Sequence, residues 1–150
     1  MQLEGLDDLY QEIILDHYRN PRNSEVLEGP DLLSKGFNPF CGDEVILTAS
    51  INRSGCIEFT GLKTQGCAIS QASASIMGEL IKGKSLKEAS SLSDLFRGVM
   101  QGQELTNDQT ESLGEMAVLR GVKQFPVRIK CALLPWSTLD DAITDFSNKG

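Results

Sequence analysis

Cysteine is scarce in this chain, four residues in 150, and so are proline, with five, and histidine, with one. Four cysteines are too few for a disulfide framework, and a chain of this length buries enough surface to build a core without one. The cysteine question is therefore one of metal binding, catalysis or core packing. No apolar run approaches the roughly 18 residues that read as a membrane-spanning helix. No cluster of five or more basic residues is present, and the net charge is −7. An acidic balance disfavours nucleic acid and anionic membrane surfaces, both of which attract cations. The first eight residues carry acids and no apolar stretch, so a secretory signal is not expected and a cytoplasmic location is. Internal repeats, linkers and low-complexity tracts are also missing. The expectation is one domain over residues 1–150.

What is present is a sequence of short periodic segments. Leu6 to Tyr18 predicts a helix, with Leu6, Leu9, Tyr10, Ile13, Ile14 and Tyr18 at three-four spacing, ended by Asn20-Pro21. Ser24 to Phe40 reads as irregular or as an edge strand. In Asp43 to Ile51 the residues Val45, Leu47, Ala49 and Ile51 alternate onto one face. Asn52 to Gly55 marks a turn, and Cys56 to Leu62 reads as the returning strand of an antiparallel hairpin. Cys67 to Ile81 predicts a helix of small residues able to sit close to a sheet, stopped by Gly83. Ser85 to about Val99 predicts another helix, opened by the capping box Ser85-Leu86-Lys87-Glu88. Gly102 to Thr110 reads as a connection, Asp108 to Leu119 as a helix, and Gly121 as a break. A last helical stretch starts at Pro126; Pro135 kinks or ends it, with Ser137 to Phe146 beyond. Helix, short strands and then helices predict an α+β fold, a small antiparallel sheet with helices packed on one face.

Cys41, Cys67 and Cys131 each sit at an element boundary or early in a helix, so a sheet that brings its ends together can bring them to one edge. Their spacing resembles no paired zinc ribbon, and buried packing thiols are the competing reading. Local sequence favours chemistry. Gly42 allows a sharp backbone path and puts the Asp43 carboxylate two residues from the Cys41 thiol. Zinc accepts thiolate at about 2.3 Å and carboxylate at about 2.0–2.2 Å. Cys67 stands near a helix N-terminus, where the dipole favours a thiolate. Cys56 reads as a packing residue, His17 as a surface or core residue rather than a ligand, and Trp136 as core or partner-facing. Phe37 and Phe40 read as an apolar rim.

Four motifs carry a family resemblance. The segment from Leu9 to Asn23 (LYQEIILDHYRNPRN) resembles the N-terminal region of the SufU/IscU/NifU-like proteins. Asn38-Pro39-Phe40-Cys41-Gly42-Asp43 resembles their first cysteine loop, Gln65-Gly66-Cys67-Ala68 with the following small residues their second, and Arg128-Ile129-Lys130-Cys131 their third. Lys130 stands where the IscU branch has a histidine. Its ammonium has no lone pair to offer a metal, and with a longer interval before Cys131, around Leu92 to Leu113, the chain is more similar to the SufU branch. The resemblance implies an IscU/SufU-like fold and a role in iron–sulfur cluster assembly. It implies zinc held by Cys41, Asp43, Cys67 and Cys131, and Cys41 as acceptor of persulfide sulfur from a SufS-type cysteine desulfurase. In that reading the chain acts with its desulfurase rather than as a stand-alone enzyme, and Arg128, three residues before Cys131, compensates the charge of the site or orients Asp43. Two alternatives remain open at this point. One is a scaffold for a [2Fe–2S] iron–sulfur cluster bound by Cys41, Cys67 and Cys131 together with Asp43, whose carboxylate would make it labile, in contact with other cluster assembly proteins. The other is a non-catalytic interaction module that a zinc ion stabilises.

Overall fold

The computed structural model describes residues 8–149. Helix α1 (Asp8–Arg19) leads into three strands, β1 (Leu32–Asn38), β2 (Asp43–Ile51) and β3 (Ile57–Gln65). They form one antiparallel sheet in the order β1-β2-β3. Helices α2 (Ala68–Leu80), α3 (Leu86–Met100) and α4 (Asn107–Leu113) follow, then a 3₁₀ helix (Gly114–Gln124) and the long α5 (Pro126–Lys149).

The alternation expected for β2 is real. Val45, Leu47 and Ala49 are buried and point to the helices, while Ile51 is half-buried beside an irregularity in the pairing with β3. The helices cover this one face: α5 packs on β1 and β2, and α2 packs on β3 and on α1. Small side chains let α2 lie close. Ala68, Ser70, Ala72, Ser73, Ala74 and Ser75 are all buried, and the Ser73 hydroxyl donates to the Ala132 carbonyl at 2.6 Å. That bond ties α2 to α5 one residue past Cys131. The predicted capping box of α3 is present in full, with Glu88 N–H donating to Ser85 Oγ and Ser85 N–H to Glu88 Oε1.

Several expectations change. The Leu6 end of the first predicted helix lies outside the described residues. Within α1 the buried residues are Ile14 and His17, whereas Leu9 is exposed, so the inward face is turned toward the histidine. The 24–40 segment contains a true edge strand, β1. β3 runs three residues past Leu62 to Gln65, because Lys63, Thr64 and Gln65 still find partners in Ile46, Val45 and Glu44. The helix expected over 108–119 tightens at Gly114 into 3₁₀ geometry that continues through Gly121. Pro135 neither ends nor divides α5. A proline inside a helix costs about 3 kcal/mol, and burial of Cys131, Ala132, Leu134, Trp136, Leu139 and Ala142 along that helix outweighs it. Trp136 is core, fully buried with Phe96 at a ring distance of 5.9 Å. Among the described residues no helix is long and apolar enough to cross a membrane.

Candidate metal centre

The site forms where two strand ends meet the first turns of α5. Asn38 pairs with Asp43 as the last rung between β1 and β2, so the intervening loop is short and must turn sharply. Gly42 takes a φ of 71°, and its N–H closes the loop onto the Asn38 carbonyl at 2.8 Å. Cys41 sits at the tip of this loop. Across the sheet, β3 ends at Gln65 opposite Glu44. Gly66 then swings the chain at φ 139°, and Cys67 becomes the N-cap of α2. Its backbone N–H donates to Asp43 Oδ1 at 3.0 Å. Because α5 crosses β1 and β2, Cys131 arrives from the third direction.

Cys41, Asp43 and Cys131 each offer a ligand atom, and these atoms all lie within 4.8 Å of one another. The two sulfurs are 3.4 Å apart. Asp43 and Cys131 are fully buried, while Cys41 is half-exposed. Cys67 stands beside this trio: its thiol points toward Ser70 Oγ at 3.7 Å, and its backbone, not its sulfur, holds Asp43. Arg128 closes the site from above, with Nη1 3.8 Å from Cys41 Sγ. Cys56, half-buried, pairs its backbone with Ser85 and is not part of the group. His17 is buried elsewhere, bonded to Ser75 at 2.8 Å and to Glu115 at 2.9 Å.

The electrostatics of the cluster ask for a cation. Burial pushes the Cys131 thiol far above its ordinary range, and the neighbouring Asp43, Cys41 and Cys67 push it further. Burial opposes the charge on Arg128, but its bond to Cys131 and the fields of the three cysteines prevail and raise its pKa. The Asp43 carboxylate is the sharpest indication. Oδ1 has the Cys67 N–H, but Oδ2 is buried without any hydrogen-bond partner. An orphaned carboxylate oxygen beside two thiols fits a thiophilic divalent ion, and the donor set suits such a metal.

The rim is apolar and cationic. Phe40 is 77% exposed and Phe37 58%, and Lys130 Nζ lies 4.6 Å above the Phe40 ring. With Leu133, Leu134 and Ser137 they border an open cavity of about 310 Å³. Sequence reasoning missed Asn38. It is buried, its Nδ2 faces Cys131 Sγ at 3.8 Å, and its Oδ1 takes the Phe40 N–H at 3.2 Å. Its place opening the cysteine loop was the available signal.

The one-sided α+β architecture with a thiol-and-carboxylate cluster at the sheet edge defines a class of small two-layer proteins that carry a candidate metal centre. Residues 9–132 match the family model described as the NifU-like N-terminal domain, and the chain belongs to that family. It is 43% identical over 139 residues to the zinc-dependent sulfurtransferase SufU of Bacillus subtilis, covering 93% of this chain and 92% of the relative. It is 39% identical to the iron–sulfur cluster assembly scaffold protein IscU of Streptococcus pyogenes, over 99% of this chain and 91% of that one. A crystal structure from Fervidobacterium islandicum AW-1, described as a candidate iron–sulfur cluster assembly scaffold protein for the SUF system, superposes with a TM-score of 0.79 at 34% identity, covering 88% of this chain and 94% of that one.

Proposed function

We propose that this chain is a zinc-dependent sulfurtransferase of iron–sulfur cluster assembly, working in the cytoplasm as one domain beside a SufS-type cysteine desulfurase. The orphaned Asp43 Oδ2 next to paired thiols carries the reading. Cys41, Asp43, Cys67 and Cys131 would hold the zinc, the Cys67 sulfur joining by a side-chain rotation away from Ser70. Zinc, when bound, keeps the thiols deprotonated at neutral pH.

The remaining chemistry belongs to the chain's own residues. Cys41 is the acceptor, because it is half-exposed on a loop tip while Cys131 is sealed in α5. Its thiolate attacks the outer sulfur of a cysteine persulfide on the partner. One S–S bond forms on Cys41, the partner's S–S bond breaks, and the partner's cysteine leaves as a thiolate, with no net oxidation. Arg128 lies beside Cys41 Sγ, where its guanidinium stabilises anionic sulfur during the transfer. Phe37, Phe40 and Lys130 border the approach to the loop. The high identity to a relative named for this activity supports the reading.

Lys130, a residue with no lone pair to offer beside Cys131, favours transfer over scaffolding. The second reading, a scaffold for a labile [2Fe–2S] cluster, draws on the relatives named as scaffolds and on the suitability of Cys ligands for iron–sulfur clusters. One experiment separates them. Protein with one zinc per chain that accelerates desulfurase turnover supports transfer; a coloured, transferable cluster after anaerobic reconstitution, without that acceleration, supports the scaffold. Cys41→Ala should keep measurable zinc and lose sulfur acceptance. Full stimulation of the desulfurase by that variant overturns the assignment of Cys41.

A further inference from the structure

Two sulfurs 3.4 Å apart must behave differently if one is to leave the metal and the other is to stay. The side chain of Asn38 touches this problem from both ends. Its Oδ1 accepts the Phe40 N–H, and its backbone carbonyl accepts the Gly42 N–H. The amides on either side of Cys41 are therefore both held by one residue. Since the Phe40 N–H requires an acceptor, the amide is oriented with Nδ2 toward Cys131 Sγ at 3.8 Å. Asn38 is 4% exposed, so water does not compete for that bond. Cys41 meets the Arg128 guanidinium at the half-exposed side.

We infer that Asn38 is a positioning residue for the metal centre: its amide donates to the Cys131 sulfur and holds that sulfur as the permanent ligand, while its two acceptors fix the loop from which Cys41 departs. The inference rests on the proposed metal binding. A neutral donor suits this place, because it steadies an anionic sulfur without supplying a charge that would compete with the dication.

Asn38→Asp and Asn38→Leu separate the two contacts. Both keep asparagine's branching at Cγ and its number of heavy atoms. Asp keeps an acceptor for the Phe40 N–H and loses the donor to sulfur; Leu loses both. Each full-length variant is titrated with zinc against a chromophoric chelator, and with cobalt to read the thiolate-to-metal charge-transfer band. Loss of the donor is expected to weaken zinc binding about tenfold or more in both variants, the scale known for partners one bond beyond a metal ligand, and to shift the cobalt band. A structural defect alone would lower thermal stability without moving the band. Affinity and band matching the native protein in either folded variant overturn the role of Asn38 and leave the metal reading standing. Native protein that takes up neither ion overturns the metal reading, and this inference with it.

Discussion

The backbone N–H of Cys67 donates to Oδ1 of Asp43 at 3.0 Å, while Oδ2 of the same carboxylate is buried without a partner. One oxygen thus fastens the start of α2 to the start of β2, and the other is the one that the proposed metal would take. Asp43→Asn divides these roles. The amide oxygen still accepts the Cys67 N–H, but a donor NH₂ replaces the free oxygen. Folding stability should stay within about 1 kcal/mol of native in urea. Zinc affinity by chelator competition should fall at least tenfold, roughly the lower bound for losing a partner of the centre. Unchanged affinity removes Asp43 from the ligand set.

Gly66 guards that same carboxylate. Its φ of 139° is a conformation that side chains rarely adopt, and a Cβ there would run into Asp43 Oδ1. Gly66→Ala should therefore act on both stability and metal. Backbone strain of this kind costs about 1–3 kcal/mol, read as a lowered urea midpoint, and the displaced Asp43 should release zinc to weaker chelators. A stable variant with native zinc affinity would show that the turn adapts without moving the carboxylate.

Trp136 is the one tryptophan of the chain. It is fully buried against Phe96, yet its Nε1 has no hydrogen-bond partner. Truncation to alanine should cost about 3–5 kcal/mol through the cavity it leaves. Trp136→Phe should cost clearly less, because its ring refills most of that cavity while removing the same unsatisfied donor. Equal losses in the two variants would show that the cost does not come from the volume left empty.

Acid should weaken the start of α3. Hydrogen bonds from Ser85 hold the Glu88 carboxyl below its ordinary value of 4.5. A depressed folded pKa means that its contribution is present above the unfolded value and fades as pH falls through the folded one. The melting temperature of the native protein should exceed that of Glu88→Gln near neutral pH, and the gap should close in acid, below the carboxylate range. A gap that persists there places the effect in packing instead.

Much of the fold was readable locally. The β2 alternation, the small-residue face of α2 and the Ser85 capping box each announce themselves within a few residues, because periodicity and capping are short-range physics. The parts that eluded local reading depend on distant neighbours. Gly36 weakens the strand signal of β1, but a Cβ there would collide with Thr138 on α5, so the glycine belongs to the crossing of α5 over the strand. Nothing near Leu62 tells β3 to continue; its partners Val45 and Glu44 do. His17 reads as a bland helical residue until Ser75 and Glu115 supply its bonds.

The chain's composition and four short motifs were enough to single out the candidates, three thiols and a carboxylate. Their arrangement came from folding, which gathers the ligand atoms of Cys41, Asp43 and Cys131. The strand register carries Asp43 to Cys67, and α5 crossing the sheet delivers Cys131 to Cys41. Burial then separates a sealed sulfur from a reachable one, a distinction that no linear spacing contains, because burial is a property of everything packed around an atom.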